Sequence, residues 1–174
     1  MVRKRLIFIG GPMGVGKTTL GQYLVEQKLN NAAFLDGDWC WYMSPWNFND
    51  ENKQMVIKNI RYLLSSFVSN SQLENIVFVW VMHQQTIVDD ILAGVSGDYD
   101  FFSFSLVPSE AELKHRFTKD IRAGIRDPAA LRGAIERIPM YRHVHSIKID
   151  VANHEYPEIA EEIIQIISTN NEKR

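Results

Sequence analysis

The residues of this chain best suited to chemistry lie near its N-terminus. The pattern G-x-x-x-x-G-K-[ST] is matched by Gly11-Pro-Met-Gly14-Val-Gly16-Lys17-Thr18. Glycines let the backbone fold tightly, so that successive N–H groups point at a phosphate chain. A lysine reaches the outer phosphates and a threonine hydroxyl reaches Mg²⁺. The pattern predicts a site for ATP and Mg²⁺ whose contacts come from Gly11, Pro12, Met13, Gly14, Val15, Gly16, Lys17, Thr18 and Thr19.

A pair of carboxylates, Asp36 and Asp38, forms the second set of chemically capable residues. Ligands of open α/β sheets gather at the carboxyl ends of strands, so we expect both acids to face the phosphate loop. Phosphoryl transfer needs a carboxylate near Mg²⁺ and a group that accepts a proton from the acceptor. We assign Asp36, with Thr18, to the metal and Asp38 to the acceptor. The alternative is an Asx turn or a helix cap.

These residues need elements that hold them in place. Apolar runs at 6–9, 32–35, 76–82, 101–107 and 146–149 are typical of strands, and the third is apolar throughout, as in a strand covered on both faces. Amphipathic stretches between them predict helices, with Asn49 or Asp50 capping the second and Ser109 opening the fourth. Strands that alternate with helices predict one α/β domain over residues 1–174, with a mostly parallel sheet.

The chain resembles the P-loop small-molecule and nucleotide kinases, such as shikimate, gluconate and adenylylsulfate kinases and chloramphenicol phosphotransferase. The resemblance rests on the phosphate loop and on the Asp-x-Asp after the second strand. Leu35-Asp-Gly-Asp-Trp-Cys-Trp41, Phe78-Val-Trp-Val-Met-His83 and Ile147-Lys-Ile-Asp150 are similar to a bacterial family of nucleotide kinases without a settled substrate. The resemblance implies a three-layer P-loop NTPase fold with a five-stranded parallel sheet ordered 2-3-1-4-5. It also implies a helical acceptor-binding insert at about 37–70 and an arginine-rich lid at about 115–142.

One feature departs from this pattern, because the third strand ends in Val-Met-His83 without an acid. Many enzymes of the class carry a metal-side carboxylate on a core strand. The metal role therefore falls on Asp36. His83 and Trp39 are candidates for contacting the acceptor, with structural packing as the alternative for each. By the same resemblance, Asn153 lies in the loop that in these kinases usually contacts the adenine of ATP.

Residues 116–142 carry seven basic and three acidic residues, a local charge of +4. Arginine suits phosphate oxygens and can stack on a base. By resemblance, Arg116 lies over the nucleotide at the entrance to the lid. We expect Arg122 and Arg126 to share one helical face and to contact the transferred phosphate. For Arg132, Arg137 and Arg142 we favour solvated helix faces.

Composition sets broad limits on the class of protein. The 174 residues include 19 basic and 21 acidic side chains, a net charge of −2 that favours neither nucleic acid nor an anionic membrane as a partner. A single cysteine, Cys40, excludes an internal disulfide. The N-terminal apolar run is shorter than a signal-peptide core. We expect a cytoplasmic protein, either a monomer or a homodimer.

The first functional hypothesis is an ATP-Mg²⁺-dependent kinase that acts on a small-molecule or nucleotide acceptor. The second is a nucleotide-binding regulatory module with slow hydrolysis, which the missing strand acid favours. A third, a polynucleotide end kinase, would need a basic groove leading to Asp38, and the basic segment lacks the interleaved aromatics of polynucleotide sites. The sequence leaves the acceptor and the choice of ATP over GTP open.

Overall fold

Five parallel strands form the centre of the protein. The computed structural model describes residues 3–172. The strands lie in the order β2-β3-β1-β4-β5, which confirms the predicted 2-3-1-4-5 sheet. Their bounds are β1 Lys4–Gly10, β2 Ala32–Asp36, β3 Asn75–Trp80, β4 Tyr99–Val107 and β5 Ile147–Asp150.

Helices follow the strands along the chain. The sequence predicts β3 as far as Met82, but the strand ends at Trp80, because the Met82 N–H turns back to the Trp80 carbonyl at 3.1 Å. A wide turn at Leu24–Lys28 extends the first helix, and 3₁₀ turns form at Gly37–Trp41 and Ile138–His143. The helices are α1 Lys17–Tyr23, α2 Asp50–Ser69, α3 Gln85–Leu92, α4 Glu110–Arg122, α5 Ala130–Arg137 and α6 Tyr156–Glu172.

The sheet separates two hydrophobic clusters, because successive residues of a strand point to opposite faces. Ile7 and Ile9 of β1 point into one cluster, which α1, α4 and α6 cover; Leu6 and Phe8 point into the other, which α2 and α3 cover. A parallel sheet covered on both faces explains why the strand around Phe78 is apolar at every position. This three-layer arrangement fixes the carboxyl ends of β1, β2 and β3 next to one another.

Helix caps agree with the sequence signals at two places. The side chain of Asn49 accepts a hydrogen bond from the Asn52 N–H at 2.8 Å and begins α2. Ser109 accepts one from the Glu112 N–H at 3.1 Å and begins α4.

α2 occupies much of the predicted acceptor insert, yet its buried face packs on the sheet as part of the core. Within residues 3–172, no helix combines the length and apolarity needed to cross a bilayer.

Candidate active site

The phosphate loop lies between the end of β1 and the start of α1, as its sequence requires. Gly14 and Gly16 adopt φ angles of +84° and +104°, in the left-handed region that a side chain strongly disfavours. A Cβ at Gly14 would also lie 2.7 Å from the ring of Phe117 on α4. The loop conformation therefore depends on glycine at both positions. Helix α1 begins directly after the second of them, with its N-terminal end at the loop.

Lys17 is the first residue of α1, and its side chain reaches back to this loop. Its Nζ donates a hydrogen bond to the Pro12 carbonyl at 3.0 Å. Burial lowers the pKa of Lys17 to about 8, while the carboxylates of Asp38 and Asp36 oppose the shift and Arg126 adds to it. The Lys17 ammonium therefore interacts with both predicted acids and with one predicted lid arginine.

Asp36 joins the phosphate loop to the second strand. Its Oδ2 accepts a hydrogen bond from the Thr18 hydroxyl at 2.6 Å, and its Oδ1 accepts one from the Asp38 N–H at 2.9 Å. The hydroxyl and the carboxylate are hard oxygen ligands of the kind Mg²⁺ prefers. No cluster of three or more His, Cys, Asp or Glu side chains suited to a metal occurs in the described part of the chain. The arrangement fits a magnesium ion that takes its other ligands from phosphates and water.

Asp38 is held by a residue that sequence reasoning does not identify. The indole Nε1 of Trp80 donates a hydrogen bond to Asp38 Oδ1 at 3.0 Å. The ring of Trp80 lies so close to Gly37 that a Cβ there would approach it to 2.5 Å. The Asp38 side chain remains partly open to the cleft. Desolvation nevertheless raises the pKa of its carboxyl, and the Asp36 carboxylate raises it further. Lys17, Trp80 and Arg126 act in the opposite direction and lower this pKa.

A cleft of about 1070 Å³ opens beside Asp38. Met13 of the phosphate loop lies at one end, and the facing sides of α2 and α3 form the far walls. His83 lines the cleft, its Nδ1 donates to the Val81 carbonyl at 3.3 Å, and desolvation lowers its pKa. Trp39 is placed elsewhere: its ring meets that of Phe34 edge-on at 5.3 Å, and it does not line the cleft. The structure thus brings Asp38 and His83 together and leaves Trp39 out.

Arg116 lies over the phosphate loop. Its Nε donates to Glu112 at 2.6 Å, and one terminal nitrogen lies 3.4 Å from the Val15 carbonyl. The other terminal nitrogen donates to the carbonyls of Val151 and His154, at 3.4 Å and 3.2 Å. Arg116 therefore connects the phosphate loop to the turn after β5. Asn153 lies in that turn, exposed and with φ +59°, and its contact with a base remains a prediction.

Arg122 and Arg126 do not share a helical face, so the expected i, i+4 relationship is wrong. Helix α4 ends at Arg122, and Gly124 follows with φ +71°. Arg126 then folds back: its Nε donates to Asp120 Oδ2 at 3.0 Å, and its guanidinium carbon lies 5.1 Å from the centre of the Phe117 ring. Arg122 points to solvent. The structure brings Arg126, and not Arg122, to the phosphate loop.

Tyr141, which sequence reasoning does not identify, and Arg137, which it expects on a solvated helix face, both lie near the site. Tyr141 is fully buried, and its hydroxyl faces the Gly11 backbone without completing a hydrogen bond to any described residue. Burial raises the pKa of this phenol. Arg137 donates to the Gly133 carbonyl at 3.0 Å, and its charge lowers the pKa of both His83 and Tyr141. Arg137 is exposed at the end of α5, as expected, whereas the position of Tyr141 follows only from the three-dimensional packing of the Ile138–His143 turn.

Comparison with known proteins agrees with this geometry. A protein-family profile described as an AAA domain matches residues 7–127, and the chain belongs to that family. Shikimate kinase from Vibrio vulnificus strain YJ016 is 53% identical over 38 residues, which is 22% of this chain and 21% of that enzyme, so the match spans about a fifth of the relative. Shikimate kinase from Francisella tularensis subsp. holarctica strain FTNF002-00 / FTA is 26% identical over 160 residues, covering 86% of this chain and 87% of that enzyme.

Among solved structures, a gluconokinase from Sinorhizobium meliloti 1021 superposes with a TM-score of 0.71. It is 19% identical and the alignment covers 99% of this chain and 95% of that one. Fold, phosphate loop and relatives confirm the resemblance stated from the sequence, to the P-loop small-molecule kinases.

Proposed function

We propose that this protein is an ATP-Mg²⁺-dependent kinase that transfers the terminal phosphoryl group of ATP to a hydroxyl of a small-molecule acceptor. The observation that carries the proposal is the position of Asp38. Its carboxylate influences Lys17 in the phosphate loop and also lines the cleft of about 1070 Å³. A carboxylate between a phosphate site and an acceptor-sized cleft suits the in-line geometry that phosphoryl transfer requires.

Each side chain has a role in this proposal. The loop amides and Lys17 bind the phosphates, and Arg126 adds positive charge on the α4 side. Thr18 and Asp36 hold Mg²⁺, which when bound neutralises phosphate charge. Asp38 orients the acceptor hydroxyl and accepts its proton, while the acceptor oxygen bonds to the terminal phosphorus and the bond to the leaving ADP oxygen breaks. Because its pKa is raised, the Asp38 carboxylate is a better proton acceptor than an ordinary, more acidic carboxyl group would be.

Arg116 is proposed to contact the nucleotide, because it bridges the phosphate loop and the turn that contains Asn153. His83 is proposed to contact the acceptor, because it lines the cleft in a form whose lowered pKa favours the neutral imidazole. A neutral imidazole can both donate and accept a hydrogen bond to a polar acceptor group.

A metabolite extract provides the test of this function. The extract is incubated with ATP-Mg²⁺ and wild-type protein, Lys17→Ala or Asp38→Asn, and new phosphorylated species are detected by mass spectrometry. The proposal expects a species that gains one phosphoryl group with wild-type protein and is absent with both variants. If only ADP and inorganic phosphate form, at the same slow rate with and without the extract, the protein is instead a nucleotide-binding module that hydrolyses ATP slowly.

The second candidate is a nucleotide-binding module that hydrolyses ATP slowly. One observation favours it: beyond β3 the chain continues Val81-Met82-His83, with no acid at the position where many kinases carry a second metal-side carboxylate. In such a module, acceptors would leave the rate of ADP formation unchanged.

A further inference from the structure

The cleft beside Asp38 has one wall made of aromatic rings. We call Trp41, Trp46 and Phe48 the aromatic wall, and all three line the cleft. The rings of Trp46 and Phe48 are inclined by only 15° with centres 5.8 Å apart, and those of Trp41 and Phe48 by 30° at 5.5 Å. The rings of Trp41 and Trp46 are inclined by 44° with centres 6.0 Å apart. The three rings therefore form one aromatic surface in which Phe48 is close to parallel with both indoles, while the two indoles are tilted relative to each other.

This surface remains largely uncovered even though its rings contact one another. Trp46 is 63% exposed and Phe48 is 59% exposed. Trp41 packs against the core cluster beneath α2 and so anchors the wall to the fold. Aromatic rings that only formed a small core would bury most of their surface, whereas an exposed apolar patch inside a concave site is typical of a ligand groove.

The wall is continuous with the site at which chemistry is proposed. Asp38, Met13 of the phosphate loop and the aromatic wall line the same cleft. The polar side of that cleft is formed by His83, Gln84 and the exposed face of α2, where Lys53 places its Nζ 4.5 Å from the centre of the Phe48 ring. Asp38 and the aromatic wall therefore face one continuous space.

We infer that the acceptor carries a planar aromatic ring, which stacks on the aromatic wall while a hydroxyl on the same molecule faces Asp38. Planar rings recover the dispersion and quadrupole interactions that flat indole and phenyl faces offer, and a saturated sugar-like acceptor would leave those faces poorly matched. A cleft of about 1070 Å³ has room for a hydroxylated chain and a ring system together. The inference rests on the proposed kinase function, since that function places a hydroxyl at Asp38.

The planar ring could come from a nucleobase or from an aryl group, and matched probes separate the two sources. Uridine is compared with methyl β-D-riboside, which lacks the base. The alcohol 2-phenylethanol is compared with 2-cyclohexylethanol, which replaces the flat ring with a puckered one. Affinities are measured by ligand-observed NMR titration in the presence of Mg²⁺ and a non-hydrolysable ATP analogue.

The variants are wild type, Phe48→Leu, Trp46→Leu and Phe48→Tyr, the last of which keeps a phenyl ring. We expect at least one planar probe to bind about tenfold more tightly than its matched partner, the range that one aromatic contact supplies. Phe48→Leu or Trp46→Leu should remove most of this preference, and Phe48→Tyr should retain it. Affinity for the ATP analogue, unchanged in all variants, shows that the fold is intact.

Two results would overturn the inference: equal or no binding of the planar and non-planar partners in wild type, or a planar preference that persists in both leucine variants. Formation of ADP from ATP with each probe is followed in parallel. Acceptor-stimulated ADP formation without planar preference leaves the kinase function standing and removes the aromatic acceptor. If planar probes are preferred but neither any probe nor the extract stimulates ADP formation, the aromatic wall is a site for planar rings and the proposed kinase function is wrong.

Discussion

The indole Nε1 of Trp80 donates a hydrogen bond to Oδ1 of Asp38 at 3.0 Å. Trp80 is the last residue of β3, and Asp38 lies in the 3₁₀ turn after β2. These two strands are neighbours in the sheet. The rigid strand thereby fixes a carboxylate that belongs to a short turn. No described residue hydrogen-bonds to Oδ2 of Asp38, so that oxygen is available to the acceptor hydroxyl that the proposed function requires.

Replacing this donor tests whether the position of Asp38 matters. Trp80→Phe keeps an aromatic ring and removes the N–H, and a hydrogen bond to a charged group contributes about 1.5–3 kcal/mol. We expect kcat to fall about tenfold or more while KM for ATP stays within about twofold, because the phosphate loop is untouched. A proportional rise in KM for ATP would instead indicate damage to the loop. A kcat equal to wild type would contradict the positioning role.

Lys17→Ala tests the nucleotide site. The Lys17 ammonium lies against the loop, and its removal takes away the positive side chain that this sequence pattern directs at the phosphates. We expect affinity for ATP-Mg²⁺, measured by isothermal titration calorimetry, to fall by more than about tenfold. Lys119→Ala, which removes an exposed lysine from α4, is the matched control and should bind as wild type does. Equal affinity in both variants would disprove the phosphate-loop assignment.

Arg126 and Arg122 provide a matched pair, because the structure directs only the first to the phosphate loop. Arg126→Ala removes a guanidinium that influences Lys17 and Asp38. We expect kcat to fall about tenfold or more, since charge on the transferred group loses one stabilising partner. Arg122→Ala should change kcat by less than about twofold, as is usual for exposed arginines. Steady-state kinetics with saturating ATP measure both, and a larger loss for Arg122 would refute this placement.

His83 predicts a dependence of stability on pH. Its pKa in the folded protein is lower than the ordinary value of 6.5, because the cleft desolvates it and Arg137 lies nearby. As the pH falls below about 6.5, the unfolded chain binds the proton before the folded protein does, so the free energy of unfolding decreases. His83→Gln should lose less stability between pH 7.5 and pH 5 in urea unfolding. An identical loss in both proteins would show that His83 does not contribute.

Local patterns predicted the fold and the centre of the site. The phosphate loop is a contiguous segment whose glycine positions follow from the backbone it must adopt, and Gly14 and Gly16 have the positive φ angles this requires. The alternation of apolar strands with amphipathic helices gave the α/β class, and the 2-3-1-4-5 order came with the family resemblance. Asp36 ends β2 and Thr18 follows the loop after β1, and the two side chains meet because these strands end at the same edge of the sheet.

Contacts between segments that are distant along the chain could not be predicted from the sequence. Nothing in the apolar run around Trp80 indicates that its indole N–H meets Asp38, because that contact depends on the pairing of β2 with β3. The four-residue spacing predicted that Arg122 and Arg126 share a helical face, but α4 ends at Arg122 and Gly124 turns the chain before Arg126. Trp39 and Trp41 are two residues apart, yet only Trp41 lines the cleft, because the tight 3₁₀ turn sends their side chains in different directions.

The most direct test of the central claim follows the terminal phosphoryl group itself. ATP labelled with ³²P at the terminal phosphate is incubated with Mg²⁺, a metabolite extract and either wild-type protein or Asp38→Asn. The proposed function predicts that wild-type protein moves the label into an organic product, and that Asp38→Asn binds ATP with unchanged affinity yet forms about a hundredfold less of that product. Label recovered only as inorganic phosphate, at the same rate with and without the extract, would contradict it.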